Sequence, residues 1–357
     1  MKKVLVGGLS IFALAGAYLS LAPVPIDPAS WDAPKNIGHV GDFAPNSELA
    51  NLNLISVGKS IGPEDVAALG GMLYATSQTG DITRIDPATT SVEIMANTGG
   101  VPLGIEAHNG VLYIADAYKG LMAMTPDGAL STLSNEVDGT PILYADDLDI
   151  TDDGIIYFSD ASTKFGAEAN GSTMAASMLE IIESKGTGRV LAYDPRTQLT
   201  RVVADGFVFS NGVAMHPDGD ILVNETGRYR VVKINPDTGQ MTDWITNLPG
   251  FPDNINPGPD ETYFLGLISP RSDWLDKNST KLATRKIAMR LPTFMRPKVV
   301  AYGHIIQLDA DGNVLRTFQD PAGAYHDATG AMVHDDRLYV TSLHETDLAY
   351  RNYPPLD

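Results

Sequence analysis

One short pattern recurs six times in this chain of 357 residues, and no other feature constrains the fold as strongly. Each copy has a polar or Gly-rich start, an apolar residue two places on, a turn rich in Gly, Asp or Asn, and an alternating strand. The strands are centred on Tyr74, Tyr113, Tyr157, Leu222, Tyr263 and Tyr339. Strand-rich units that recur about every 40 residues are typical of β-propellers. The sequence therefore predicts an all-β fold, a six-bladed β-propeller over residues 47–357.

The last repeat is too short to supply four strands before the chain ends at Asp357. We therefore expect a strand from the phrase LNLISVG, residues 52–58, to complete the blade that the last repeat begins. This exchange would close the ring of blades.

Equivalent positions of a closed ring of repeats lie at the same height on its central axis. About ten residues before each strand centre, this axial slot holds Glu64, Leu103, Asp146, Asn211, Asp253 and Thr329. Calcium binds carboxylate and amide oxygens, whereas zinc prefers Cys or His. Each residue alone is better explained by turn formation, but four oxygen-bearing side chains at equivalent slots are not. The pattern indicates a calcium site formed by Glu64, Asp146, Asn211 and either Asp253 or its neighbour Asn254.

Charge and cysteine content exclude several classes of function. The formal net charge is −19, and nucleic-acid binding requires clustered Lys and Arg, so we expect no nucleic-acid partner. The chain has no cysteine, which excludes disulfides, thiolate zinc sites and a lipid anchor on an N-terminal Cys.

The N-terminal 26 residues have the composition of a membrane or export signal. Lys2 and Lys3 precede an uncharged stretch from Val4 to Ile26, which is long enough to span a bilayer. The run Ala15–Ala17 also matches a signal-peptidase site, so residues 1–26 are read as a signal anchor or a cleaved signal peptide. Either reading predicts export, to the periplasm or the cell exterior, with membrane attachment if the segment is retained. Residues 27–46 lack periodicity and are predicted to be a linker.

Two of the repeats are interrupted by long insertions. Residues 164–188 interrupt the third blade and contain the helix-like phrase SMLEIIES, and residues 269–303 interrupt the fifth with a basic run. Long insertions on a rigid scaffold are often lids or binding loops. The second insertion is interpreted as a pocket cover, a contact with anionic lipid, or an ordinary surface excursion.

The chain resembles the strictosidine synthase-like family in the phrases PLGIEAHNGVLYIADAYKGL, YADDLDI, GRVLAYDP, FSNGVAM and PDNI. That family belongs to a wider group of calcium-dependent propellers that includes paraoxonase, gluconolactonase and diisopropyl fluorophosphatase. The resemblance implies a six-bladed propeller with one catalytic Ca²⁺ at its axis. By motif it places the ligands at Glu64, Asp146, Asn211 and Asn254, with Asp253 beside Asn254.

Three departures from the family pattern affect the expected chemistry. Asp146 stands where the family usually has Asn, which adds a negative charge. The catalytic glutamate of the alkaloid-forming members aligns with Val333, so condensation of an amine with an aldehyde is not expected. The paraoxonase-type histidine aligns with Leu103, so a base must come from elsewhere. The candidates are Asp253, which neighbours a metal ligand, and His326, which lies in the approach to the axis.

The leading hypothesis from the sequence is a calcium-dependent hydrolase that acts on a lactone or a carboxylic ester. Calcium would polarise the carbonyl group and hold the oxyanion, and Asp253 or a metal-bound water would act as base or nucleophile. The alternative is a non-catalytic, calcium-stabilised propeller scaffold that binds an apolar ligand or a partner protein, since propellers serve both purposes.

Overall fold

The computed structural model describes residues 16–296 and 298–354, apart from the side chain of Thr293. Six antiparallel sheets of four strands each succeed one another along the chain, and together they form a six-bladed β-propeller. The predicted fold class is therefore confirmed. A two-stranded hairpin, β10 (Glu136–Val137) and β11 (Thr140–Pro141), lies between the second and third blades.

The strands follow one another from the inside of each blade to its outer edge. Blade 1 has β2 (Val66–Leu69), β3 (Met72–Ala75), β4 (Asp81–Ile85) and β5 (Val92–Asn97); blade 2 has β6 (Pro102–His108), β7 (Val111–Asp116), β8 (Gly120–Met124) and β9 (Leu130–Ser134). Blade 3 has β12 (Ala145–Ile150), β13 (Ile156–Asp160), β14 (Gly188–Asp194) and β15 (Leu199–Phe207). Blade 4 has β16 (Ser210–Met215), β17 (Ile221–Glu225), β18 (Arg230–Ile234) and β19 (Met241–Ile245). Blade 5 has β20 (Gly250–Pro257), β21 (Tyr263–Pro270), β22 (Gly303–Leu308) and β23 (Val314–Asp320).

Blade 6 is built from both ends of the propeller sequence. Its inner strands are β24 (Ala328–His334), β25 (Arg337–Ser342) and β26 (Asp347–Asn352), and its outer strand is β1 (Asn53–Ser56). β1 pairs antiparallel with β26, with Asn53 opposite Tyr350 and Ser56 opposite Asp347. The predicted closure by residues 52–58 is therefore confirmed.

We expect the closing strand to contribute to stability through one face only. Ile55 is 2 % exposed and packs in the core between blades 6 and 1, whereas its neighbour Leu54 is 56 % exposed. Ile55→Ala should lower the free energy of unfolding by about 2–5 kcal/mol, the usual cost of emptying a buried aliphatic site. Leu54→Ala is the matched control and should change it by less than about 0.5 kcal/mol. Urea unfolding measures both values; equal losses would mean that β1 does not close the ring as described.

Apolar side chains fill the spaces between neighbouring blades. Between blades 1 and 2, for example, Tyr74 and Ile82 pack against Ile105, Leu112 and Ile114. Because each sheet packs face to face against the next, the apolar side chains on both faces of a blade are buried. It leaves the axial ends of the inner strands to carry polar groups.

The two predicted insertions carry the helices. α1 (Thr173–Glu183) lies between β13 and β14; α2 (Asp273–Lys277) and α3 (Leu282–Arg290) lie between β21 and β22. Short 3₁₀ turns occur at Gly41–Phe43, Thr226–Arg228, Pro259–Glu261 and Thr293–Met295. The buried guanidinium of Arg285 donates to the carbonyl oxygen of Ile182 at 2.9 Å, so the two insertions contact each other at one end of the propeller.

The predicted linker, residues 27–46, lies against the propeller. Trp31 packs beside Tyr229, with ring centroids 6.1 Å apart, and Arg271 donates to the carbonyl oxygen of Pro34 at 2.7 Å. Among the described residues no helix is long and apolar enough to cross a membrane. The predicted anchor or signal helix falls largely on residues 1–15, outside the described part of the chain; residues 16–21 are helical.

Candidate metal centre

The predicted axial slots are the same structural feature in five blades. The pairing of the innermost strand with its neighbour shifts between Pro102 and Ile105, Ala145 and Leu148, Ser210 and Val213, Pro252 and Ile255, and Ala328 and Ala331. Each shift is a β-bulge at the two slot residues, and bulges redirect side chains next to functional sites. In blade 1 the slot residues Glu64 and Asp65 directly precede β2.

Close backbone approach explains why glycine follows Asn211. A Cβ atom on Gly212 would lie 2.5 Å from Asn224 Nδ2 and 2.6 Å from the carbonyl oxygen of Asp253. Asn224 Nδ2 donates a hydrogen bond to that carbonyl. The contact between blades 4 and 5 therefore requires glycine at position 212, and it places Asn211 beside Asp253.

The structure brings the five predicted ligands together. Glu64, Asp146, Asn211 and Asp253 line one cavity, and each is less than 10 % exposed. Asn254 is fully buried, and its Nδ2 donates to Glu64 Oε1 at 3.1 Å and to the Glu64 carbonyl oxygen at 3.3 Å. Asn211 Nδ2 donates to Asp253 Oδ1. We call these five residues the axial ring.

Burial places the carboxyl groups of the axial ring under electrostatic strain. Burial, followed by the negative charges of Asp253 and Asp146, raises the pKa of Glu64 well above its usual range. Burial and the charge of Asp253 raise the pKa of Asp146 in the same way. Burial raises the pKa of Asp253 to about 7, although the hydrogen bond from Asn211 acts in the opposite direction. A cation at the ring would offset this repulsion.

The donor set of the axial ring fits calcium. Four of its oxygens are buried without a hydrogen-bond partner: Glu64 Oε2, Asp146 Oδ2, Asn211 Oδ1 and Asn254 Oδ1. Buried polar atoms are normally paired, and carboxylate and amide oxygens are the ligands that calcium takes. Among the described residues no three acidic or histidine side chains are grouped so that they alone could hold a metal. The unpartnered amide oxygens of Asn211 and Asn254 would therefore add to the two carboxylate oxygens in the ligand set of an ion at this site.

An apolar cavity of about 330 Å³ leads from the axial ring to the surface. Its walls include Leu103, Tyr144, Phe209 and Phe251, and Met174, Met178 and Ile181 of the first insertion. The Tyr144 and Phe209 rings meet edge to face, with centroids 5.2 Å apart. The second insertion contributes Arg271, Leu275 and the segment 298–300. Apart from Leu103, which occupies an axial slot, sequence periodicity did not identify these wall residues, because most of them lie in the insertions or between strands.

The remaining slots and alignment positions carry no acid. Leu103 lines the cavity, and the Thr329 hydroxyl donates to the Glu64 carbonyl oxygen at 2.6 Å. Blade 6 therefore contributes a hydroxyl group at its slot, and this hydroxyl binds the backbone of Glu64. Val333, the position aligned with the catalytic glutamate, lies further along β24 and packs against the core.

His326 does not line the cavity. Its Nδ1 lies 2.8 Å from Glu345 Oε1. The histidine whose charge acts on the Asp253 carboxyl is His344, which lowers the pKa of that group, while Asp327 raises it. His344 Nδ1 is in turn 2.8 Å from Asp327 Oδ2. The sequence analysis selected His326 and did not identify His344 as a residue near the axial ring.

Sequence comparison identifies the family. The strictosidine synthase family model matches residues 146–235, and the model of the N-terminal part of strictosidine synthase-like proteins matches residues 41–85. Strictosidine synthase-like 6 of Arabidopsis thaliana is 32 % identical over 330 residues, which cover 89 % of this chain and 86 % of that protein. The chain belongs to the strictosidine synthase-like family. The adipocyte plasma membrane-associated protein of Salmo salar is 29 % identical and covers 95 % of this chain and 87 % of its own length.

Solved structures share the fold at low identity. A gluconolactonase from Xanthomonas campestris superposes with a TM-score of 0.60 at 15 % identity, covering 94 % of this chain and 99 % of its own. A calcium-binding protein, regucalcin from Agrobacterium tumefaciens, gives a TM-score of 0.57 at 13 % identity, covering 86 % and 98 %. These two similarities support the six-bladed propeller.

Proposed function

We propose that this strictosidine synthase-like protein is a calcium-dependent hydrolase of a lactone or a carboxylic ester. The observation that carries the proposal is the axial ring at the buried end of an apolar cavity. Ester hydrolysis needs stabilisation of negative charge on the carbonyl oxygen, a base beside the attacking water, and walls that hold the acyl part. The described residues offer a candidate for each requirement.

The axial ring would hold the cation. Glu64 and Asp146 supply carboxylate oxygens, and Asn211 and Asn254 supply amide oxygens that lack other partners. Hydrogen bonds from Asn254 to Glu64 and from Asn211 to Asp253 fix the side chains before any ligand arrives. A bound calcium ion would polarise the substrate carbonyl as a Lewis acid.

Asp253 is the proposed general base. It lines the cavity, and the hydrogen bond from Asn211 occupies one of its two carboxylate oxygens. The carboxylate would take a proton from the water that attacks the carbonyl carbon, and it would return this proton to the leaving oxygen as the ester or lactone bond breaks. His326 is less suited to this role because it is paired with Glu345 away from the cavity.

The cavity walls favour a substrate with an apolar part. Tyr144, Phe209 and Phe251 form an aromatic wall beside the ring. Exclusion of water by these side chains would strengthen every electrostatic interaction at the buried end. The solved propellers with the same fold are described as a gluconolactonase, a calcium-binding protein and a luciferin-regenerating enzyme; these descriptions support a small-molecule substrate and calcium.

One observation favours the alternative of a calcium-stabilised scaffold without catalysis. None of the described residues that line the cavity is a histidine, although histidine is the side chain most often used as a general base. In this case the cavity would retain an apolar ligand unchanged.

A substrate panel distinguishes the two functions. We expect the full-length protein to hydrolyse some members of a panel of lactones and aryl esters, to lose this activity in chelator, and to regain it with calcium. Asp253→Asn should lower turnover by about 100-fold or more, the usual contribution of a general base, and His326→Gln should lower it far less. A protein that calcium stabilises but that turns over no member of the panel would instead be the scaffold.

A further inference from the structure

The fifth-blade insertion carries positive charge in an otherwise acidic protein. From Lys277 to Leu308 the sequence has no Asp or Glu and seven basic residues, Lys277, Lys281, Arg285, Lys286, Arg290, Arg296 and Lys298, whereas the whole chain has a formal net charge of −19. Arg285 is buried, but Lys281 and Lys298 are exposed. The insertion therefore combines exposed lysines with a stretch of sequence that contains no acidic residue.

Large apolar side chains are exposed on the same insertion. Phe294 is 75 % exposed, Met295 56 % and Val300 55 %, and Leu21 in the N-terminal segment is 80 % exposed. Such side chains are normal when they occur singly, but several together mark an interaction surface.

Two arginines bring these side chains to one place. Arg290, at the end of α3, donates to the carbonyl oxygens of Ala22 at 2.6 Å and Leu19 at 2.9 Å. Arg296 donates to the carbonyl oxygens of Leu291 at 2.9 Å and Met289 at 2.8 Å. The N-terminal segment and the loop after α3 therefore converge on the C-terminal end of that helix. We define the docking face as Leu21, Phe294, Met295, Lys298, Val299 and Val300.

The docking face borders the cavity. Lys298, Val299 and Val300 belong to it and also line the cavity that ends at the axial ring. Whatever covers this face therefore lies at the entrance of the candidate active site.

We propose that the docking face binds the surface of an anionic lipid bilayer, with the cavity opening toward the lipid. Exposed aromatic and aliphatic side chains beside basic ones are the composition of interfacial membrane-binding surfaces, and anionic headgroups attract such basic clusters. Leu19 and Ala22 belong to the uncharged stretch from Val4 to Ile26, and their carbonyl oxygens contact Arg290 beside this face. This contact favours lipid over an acidic protein as the partner. This docking does not depend on the proposed hydrolysis.

A single fluorescent label tests the proposal in the full-length chain, because the protein has no cysteine of its own. Phe294→Cys carries an environment-sensitive probe, and Leu199→Cys, at a position 69 % exposed on the outer strand of blade 3, is the matched control. With vesicles of phosphatidylcholine mixed with phosphatidylglycerol, the probe at 294 should shift to shorter wavelength and be quenched by brominated lipid. The probe at 199 should do neither.

Charge dependence is measured by flotation of the same vesicles. Lys298→Ser should lower partitioning into anionic vesicles about fivefold, the effect of about 1 kcal/mol for one basic residue at such a surface. Arg196→Ser, at an exposed basic position of blade 3, should leave partitioning unchanged.

Four outcomes would overturn the proposal. The first is a protein that floats with the vesicles while the probe at 294 stays unchanged, which would leave binding to the N-terminal segment alone. The second is an equal response at 294 and 199. The third is a shift at 294 that grows with protein concentration without vesicles, which would assign the face to a second copy of the chain. The fourth is an equal loss of partitioning in Lys298→Ser and Arg196→Ser.

Discussion

Calcium is expected to raise the unfolding temperature of the wild-type protein, and Asn211→Ala is expected to abolish most of this rise. A ligand that binds only the folded state stabilises it by about 2.7 kcal/mol when its concentration is about 100 times Kd. Asn211 contributes one unpartnered amide oxygen and also holds Asp253 by a hydrogen bond. The substitution therefore removes one ligand and releases the Asp253 carboxylate beside it.

The matched control for this prediction is Leu103→Ala. Leu103 occupies the equivalent slot of blade 2 and is 1 % exposed, but it has no side-chain oxygen. We expect Leu103→Ala to lower the unfolding temperature equally with and without calcium, so that calcium still raises the unfolding temperature of this variant as it does that of the wild type. Thermal unfolding with chelator and with calcium measures this rise in both variants. A rise in Asn211→Ala as large as in the wild type would mean that the ion does not bind at the axial ring.

Asp146→Asn is expected to stabilise the calcium-free protein and to weaken calcium binding. Burial and the nearby charge of Asp253 raise the pKa of Asp146 well above its usual range. In chelator, the folded state therefore holds this proton more tightly than the unfolded state. Stability is greatest below the unfolded pKa of about 3.9 and is lost as pH rises through the raised folded pKa. Asparagine cannot ionise, so the variant should lose less stability as pH rises.

Unfolding in urea at several pH values, with chelator and with calcium, measures both effects. In chelator at neutral pH, the free energy of unfolding of Asp146→Asn should be larger than that of the wild type. This difference should shrink as pH falls. With calcium, the wild type should be as stable as the variant or more stable, because the wild-type ring offers one more negative charge to the ion. Asp205→Asn, at an exposed position of the same blade, controls for a general loss of negative charge. Parallel pH curves for Asp146→Asn and the wild type would show that Asp146 does not ionise within the ring.

The repeated pattern made the fold and the axial ring predictable from the sequence. A propeller places equivalent residues at equivalent positions, so counting back from Tyr157 and Leu222 was sufficient to locate Asp146 and Asn211. The same reasoning identified the closing strand, because blade 6 had to obtain a fourth strand from elsewhere. The sequence did not predict the bulges at the slots. Because they recur in five blades, the number of residues from slot to strand centre stays nearly the same in each blade.

Features outside the repeat could not be predicted in this way. The cavity walls depend on where α1 and the segment 298–300 fold back over the axis, and no periodicity specifies that path. The position of His326 likewise depends on the path of a loop that flanks blade 6, and in the structure this side chain pairs with Glu345. Residues 27–46 were predicted to be a linker because they lack periodicity. Periodicity does not report isolated contacts such as that of Trp31 with Tyr229, which hold this segment on the propeller.

We propose that the axial ring binds calcium and that hydrolysis requires the bound ion. The most direct test measures lactone or ester turnover and calcium-induced stabilisation of the same full-length protein against free calcium concentration. The two curves should share one midpoint, and Asn211→Ala should shift both to higher calcium together. Turnover that persists in chelator, in protein shown by metal analysis to be calcium-free, would contradict the claim.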